Sequence, residues 1–176
     1  KSFEELQAQD MKGLVLDLRD NPGGWVEQGV RIADVFLDRT LLFYTQDRAG
    51  NQEKTYTTAG KSDIPLVILV NENSASTSEI FTAAMKDYQR ATVVGTNTFG
   101  KGVIQYVTGL SDGVSGFQFT RAQYFSAKGN KVHEVGVAPD VEAALPEGEE
   151  TTYFQFGDLS DPQLKTAIEE MSKLLK

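Results

Sequence analysis

The sequence predicts an α/β fold: a buried, mostly parallel sheet with helices on its faces and β-hairpins beside it. Three observations carry that prediction. The runs GLVLDL (13–18), PLVILV (65–70) and ATVVGT (91–96) are continuously apolar, as strands covered on both faces must be. The first two pass through polar turns into segments with apolar residues at helical spacing. Two further stretches have strand-forming residues on either side of a turn-forming segment, the pattern of hairpins.

Taken in order, KSFEELQAQD reads as the end of a helix entering the domain over residues 1–11. It opens without Met, so the chain is expected to be a piece of something longer. GLVLDL is the first buried strand and ends in RDNPGG. WVEQGVRIADVFL follows as a helix, with Val26, Val30, Ala33 and Leu37 in register. LLFYTQD and EKTYTT flank RAGNQ as a hairpin. PLVILV leads through NENSAS into the helix TSEIFTAAMKDY, whose Phe81, Ala84, Met85 and Tyr88 share a face. ATVVGT ends in NTFGKG. VIQYVTGL and FQFTRAQYF, joined by SDGVSG, form a second hairpin. HEVGVAPDVE is irregular, with a turn expected at Asp140, and ALPEGEETTYFQFGDLS is a surface excursion. DPQLKTAIEEMSKLL closes the chain as a helix over 161–175. Asp161 suits the N-cap and Pro162 the first helical position. Leu164, Ala167, Ile168, Met171 and Leu175 make its apolar stripe.

A length of 176 residues fits a single domain over 1–176 with a real core. The net charge of −8 argues against a nucleic-acid partner and against docking on anionic lipid. The absence of cysteine excludes a disulfide framework, a Cys nucleophile and Cys-rich zinc sites. No apolar run reaches the roughly 18 residues of a membrane span, and no signal peptide is visible.

In open parallel sheets, function gathers beyond the carboxyl ends of the strands. Three unusual loops fall there: RDNPGG, NENSASTSE and NTFGKG. Within the second, Ser76 to Glu79 fits the capping box S-x-x-E, which is a structural role. A hydroxyl at a helix N-terminus also feels the positive end of the dipole, which favours a developing oxyanion. Ser76 is therefore both a cap and a candidate nucleophile, and the N–H of Thr77 a candidate oxyanion donor. A Ser-His-Asp arrangement would have to use His133, the one histidine. A lysine base needs a pKa lowered by burial or a positive field. Lys101 lies between two glycines just past a buried strand, with Phe99 and Val103 nearby, where it is either a turn lysine or that base. Gln105, four residues on, is placed to hold the Lys101 amine through its amide oxygen. Asn-Pro-Gly-Gly reads as a turn, and its glycines allow close approach of backbone to a ligand, so Gly23 or Gly24 is a candidate second oxyanion donor. Asp17, Arg19 and Asp20 are expected to pair locally or cap a helix; Arg19 is alternatively placed to pin the glycine loop.

LVLDLRDNPGG, PLVILVNENSASTSEIFTAAMKDYQRATVVGTNTFGKGVIQ and GVAPD together resemble the C-terminal processing peptidases, or tail-specific proteases. The resemblance runs from about residue 3 to 175, and it is the ordered set of motifs that is specific. It implies a crotonase/ClpP-like catalytic core and a serine endopeptidase with a Ser/Lys dyad that forms an acyl-enzyme. Its nucleophile would be Ser76, its base Lys101 and the residue orienting that base Gln105. Its oxyanion hole would use Thr77 with Gly24 or Gly23. Thr77 departs from the alanine usual at that position, a change a backbone donor is expected to tolerate. No metal or cofactor is implied. The implied substrates are unfolded or extended polypeptides cut near their C-termini. A PDZ module of the same chain, a possible homo-oligomer and a bacterial cell-envelope location are implied for the full-length protein. PDZ domains bind C-terminal tails by strand addition; no such stretch lies in these residues. The alternatives are a non-catalytic peptide- or ligand-binding domain on the same fold, and an acyl-CoA enzyme of the wider crotonase-like class.

Overall fold

A computed structural model of the chain describes residues 2–58, 60, 62–151, 154–155 and 157–176. The chain opens in a short helix, α1 (Ser2–Gln7), and then alternates strand and helix: β1 (Leu14–Asp17), α2 (Val26–Ala33), β2 (Leu41–Asp47), β3 (Gln52–Tyr56), β4 (Leu66–Val70), α3 (Thr77–Asp87), β5 (Thr92–Gly95). The hairpin β6 (Val103–Gly109) and β7 (Gly116–Ser126) follows, then β8 (Val141–Glu142) and α4 (Pro162–Leu174). The surface excursion expected over ALPEGEETTYFQFGDLS falls partly outside the described residues, as does Lys1 of the expected entry helix.

Four strands in the order β1-β4-β5-β8 form a parallel sheet. The central strand β4 is buried at every residue, and its alternation divides the core in two. Leu66, Ile68 and Val70 face a large cluster with Phe36, Leu42, Phe81, Met85 and Tyr124. Val67 and Leu69 face the other way, toward Ala167 and Met171 of α4. Continuous apolar runs are thus the sequence mark of a sheet covered on both sides.

The two hairpins merge into a second, antiparallel sheet in the order β3-β2-β7-β6. The join is β2 on β7, from Phe43 opposite Ser126 to Asp47 opposite Ala122. Helix α3 lies between the two sheets, with ten of its residues buried. Its N-terminus opens where the loops after β1 and β5 converge.

Two expectations change. HEVGVAPDVE contains a strand: Asp140 N donates to Val93 O at 2.7 Å, and Asp140 Oδ2 accepts from Val93 N at 2.9 Å. That clip aligns Val141–Glu142 on β5, and Lys86 pairs with Asp140 Oδ1 at 2.7 Å. In α4, Ala167 and Met171 are buried and Leu164 packs on them, but Ile168 and Leu175 are exposed. The fourth inward residue is Gln163, buried and bonded to Arg19 and to Ala143 O. Asp161 caps α4, accepting from Gln163 N and Leu164 N.

Candidate active site

The strand β4 delivers the chain into a tight turn, and α3 begins at Thr77. Ser76 sits at that corner with φ 57° and ψ −118°. This is the first central position of a type II′ turn, a conformation costly for a residue with a Cβ. Ser76 and Glu79 form the capping box, whose reverse bond runs from Ser76 N–H to Glu79 Oε2 at 2.8 Å. Ser76 is half-buried at the helix terminus.

Glu79 does more than cap. It is fully buried. Its Oε1 accepts from Thr98 Oγ1 at 2.6 Å and Gly100 N at 2.7 Å, and its Oε2 also accepts from Lys101 N at 2.9 Å. One carboxylate therefore joins the main chain of Ser76 to that of Lys101. A second buried side chain does the same from the opposite sheet. The Tyr124 hydroxyl lies between two carbonyls, 2.7 Å from Lys101 O and 3.1 Å from Ser76 O, and donates to them. Burial pushes the Tyr124 phenol pKa up, with the nearby Glu79 charge acting in the same direction, so it stays a donor.

The glycine loop is stitched to the same corner. Ala75 N and Ser78 Oγ donate to Asn21 O at 3.0 and 3.2 Å, and Ser74 Oγ to Leu18 O at 2.7 Å. Asp20 exchanges hydrogen bonds with Asn71 and accepts from Asn73 and Thr151. Burial acts to raise the Asp20 pKa, but the hydrogen bonds from Thr151, Asn71 and Asn73 and the charge of Arg19 outweigh it and hold it below the usual carboxylate value. Gly23 has φ +90°, and a Cβ on it would stand 2.6 Å from Ala75 O and 2.7 Å from Thr77 N, so only glycine fits there. Gly102 is likewise required, since a Cβ would meet His133 N at 2.3 Å.

Of the candidate donors, Gly23 N–H is already bonded to Asn21 Oδ1 at 2.9 Å. The N–H groups of Thr77 and Gly24 make no hydrogen bond to any described residue. Beside them an apolar cavity of about 160 Å³ opens, lined by Leu16, Leu18, Trp25, Ile32, Thr77 and Phe81 among others.

The side chains of the expected base and its partner are placed differently. Lys101 is exposed, and no hydrogen bond joins its amine to Ser76 Oγ among the described residues. No hydrogen bond joins Gln105 to Lys101 among the described residues: β6 begins only at Val103, and Gln105 Oε1 accepts from Gln118 Nε2 across the hairpin at 2.9 Å. His133 is not bonded to Ser76, and its buried Nδ1 has no partner, so no carboxylate orients it. Arg19 pairs with Asp17 at 2.7 Å, as local pairing predicts, and also with the distant α4 cap Asp161 at 2.7 Å; no hydrogen bond joins its side chain to the glycines among the described residues. Burial acts to lower the Arg19 pKa, and these two carboxylates overcome it and keep the guanidinium charged.

Sequence reasoning missed Tyr124 and the reach of Glu79 to residues 98–101. The only signal for Glu79 was the capping box, and for Tyr124 an inward position on an alternating strand.

Comparison with known proteins places this geometry. The model of peptidase family S41 matches residues 1–143. A carboxyl-terminal-processing protease of Synechocystis sp. is 44% identical over 141 residues, covering 79% of this chain and 33% of its own. Another from Picosynechococcus sp. is 39% identical over 98% of this chain and 41% of its own length. The chain thus spans between about a third and two fifths of these relatives. Among solved structures, a photosystem II D1 C-terminal processing protease superposes with a TM-score of 0.75 at 42% identity, over 81% of this chain and 37% of that one. A match over residues 1–143 and identity sustained along nearly the whole sequence show that the chain belongs to peptidase family S41.

Proposed function

We propose that this chain is the catalytic core of a serine endopeptidase that cuts extended polypeptides near their C-termini through an acyl-enzyme on Ser76. The observation that carries the proposal is the corner at Ser76. Ser76 sits in a strained turn at a helix N-terminus, and its main chain is tied through Glu79 and Tyr124 to the main chain of Lys101.

In this reading neutral Lys101 takes the proton from Ser76 Oγ as the oxygen attacks the scissile carbonyl. The N–H groups of Thr77 and Gly24 receive the oxyanion, and the engaged Gly23 N–H does not. Lys101 then protonates the leaving amine and activates the water that frees the acyl group. The apolar cavity beside Thr77 takes the side chain on the acyl side of the cut. The edge strand β6, which starts two residues after Lys101, offers an extended chain a strand to pair with. For this step the Lys101 amine has to come within hydrogen-bond reach of Ser76 Oγ, and Gln105 has to leave Gln118 if it is to hold the amine. The names of the relatives support a substrate that is a protein terminus. A PDZ module elsewhere in the full-length protein, a homo-oligomer and a bacterial envelope location belong to the same proposal. Chloroplastic relatives such as one from Arabidopsis thaliana, 45% identical over 144 residues, share the sequence pattern. No helix among the described residues is long and apolar enough to cross a membrane.

One observation favours a second reading, a non-catalytic peptide-binding domain: the amine of Lys101 is not joined to Ser76. The test is cleavage of a loosely folded protein by the full-length protein from pH 6 to 10, beside Ser76→Ala and Lys101→Ala. The expected result is cutting by the wild type and none by either variant. Cutting that survives Ser76→Ala overturns the nucleophile; a folded wild type that binds peptide without cutting supports the second reading.

A further inference from the structure

We infer that the side chain of Thr77 is a latch that holds the glycine loop against the nucleophile, its hydroxyl fixing Gly24 and its methyl filling the space that Gly29 leaves. The inference rests on the proposed roles of Ser76 as nucleophile and of the Thr77 and Gly24 N–H groups as oxyanion donors. It adds a positioning role for the Thr77 side chain.

Thr77 is buried at the first position of α3. A buried hydroxyl is costly unless it is bonded. Its partner is Gly24 O, at 2.9 Å and 53 residues away in sequence. The upstream part of the loop has other anchors: Asp20 is held by Asn71 and Asn73, and Asn21 O accepts from Ala75 N and Ser78 Oγ. Among the described residues, the bond from Thr77 is the one made to the peptide group of Gly24. A glycine has no side chain to restrict its own torsions, so a bond to its carbonyl supplies the missing restraint. Its free N–H is then held on the same side as that of Thr77.

Gly29 is fitted to the same side chain. It is buried in the middle of α2, where alanine would be the better helix former. A Cβ on Gly29 would stand 2.4 Å from Thr77 Cγ2, closer than any real contact. A β-branched residue has few χ1 choices, and one rotamer of Thr77 satisfies both neighbours. The methyl meets α2 at Gly29 and the hydroxyl meets the loop at Gly24.

The test uses the full-length protein with three substitutions. Thr77→Val keeps the shape and removes the hydroxyl. Thr77→Ser keeps the hydroxyl and removes the methyl. Gly29→Ala is made alone and together with Thr77→Ser. Losing an oxyanion donor outright costs about 10²–10³ in kcat. A donor that is loosened but present is expected to cost about tenfold, so Thr77→Val should lower kcat about tenfold with KM within about twofold, and Thr77→Ser should stay within about threefold of wild type. Amide hydrogen exchange at residues 23–25 should quicken in Thr77→Val and not in Thr77→Ser. Gly29→Ala should be impaired alone and recover when Thr77→Ser removes the methyl. The latch is overturned if Thr77→Val matches wild type in both kcat and exchange, or if Thr77→Ser fails as badly as Thr77→Val. If Ser76→Ala still cuts, the proposed nucleophile is what fails, and the exchange at residues 23–25 still decides the latch.

Discussion

The N-terminal end of α3 and the β6–β7 hairpin meet at Lys101, and they are built on opposite plans. At the helix end, Ser74, Thr77, Ser78, Glu79 and Thr98 are all buried, and each has a hydrogen-bond partner. Across the hairpin, the residues from Gln105 to Thr120 are exposed on both faces, among them Tyr106, Val107, Leu110, Phe117 and Phe119. Phe117 stacks on Phe119, and Arg121 lies over Tyr106, yet all of this faces solvent. Lys101 belongs to both regions: its main chain is clamped by Glu79 and Tyr124, and its side chain is free. The difference teaches that the corner at Ser76 is fixed through buried, bonded side chains while the hairpin stands exposed. Under the proposed function, main-chain dipoles held in this way cost no reorganisation at the moment of reaction.

The comparison breaks most readily at Glu79. Glu79→Gln puts an amide where only acceptors fit, facing N–H groups of Ser76, Gly100 and Lys101. Leaving such buried donors opposed is expected to cost about 3 kcal/mol or more and activity about 100-fold or more; urea unfolding and peptide cleavage check it. A near-neutral result would mean that the corner is not held by this carboxylate. Next is Tyr124→Phe, which keeps the edge-on ring contact with Phe43 and strips the donor from two carbonyls. A loss of about 1–2 kcal/mol is expected, with kcat reduced more than KM is raised, read in the same two assays.

A smaller effect separates the loop from the rest. The Asp20 pKa is lowered in the fold, so its contribution is present above the unfolded carboxylate value, about 3.9, and is lost as pH falls through the lower folded value. Stability measured from pH 5 downward should therefore fall less steeply in Asp20→Asn than in wild type. Smallest of all, Val107→Thr or Val114→Ser on the hairpin should change stability by within about 0.5 kcal/mol. A larger loss in thermal unfolding would show that the hairpin is part of the structural unit it projects from.

The sequence carries the parallel sheet openly, because a strand buried on both faces cannot hide its apolar run and Gly and Pro mark where each run stops. It also carries the corner, since SASTSE reads as a helix cap and α3 begins there. What it does not carry is tertiary. Nothing local in Tyr124 tells that its hydroxyl spans Ser76 O and Lys101 O, residues 48 and 23 positions away. The merging of two hairpins through β2 and β7 is a pairing between distant segments, and a two-residue strand such as β8 leaves no pattern to read. Gln105 fails the simple alternation argument because Lys101 precedes the strand, and the register across the hairpin shifts between Ile104 and Gln105. Thr77 was legible as a departure from the expected alanine, but its meaning lies in Gly24 and Gly29, which only the fold brings together.

The most direct test of the central claim is to treat the full-length protein with a fluorophosphonate and map the modified residue by mass spectrometry. The account predicts stoichiometric labelling of Ser76, with Ser74 and Ser78 unlabelled, and slower labelling in Lys101→Ala and Glu79→Gln. Labelling of a different serine, or none in a preparation that still cuts protein, would contradict it.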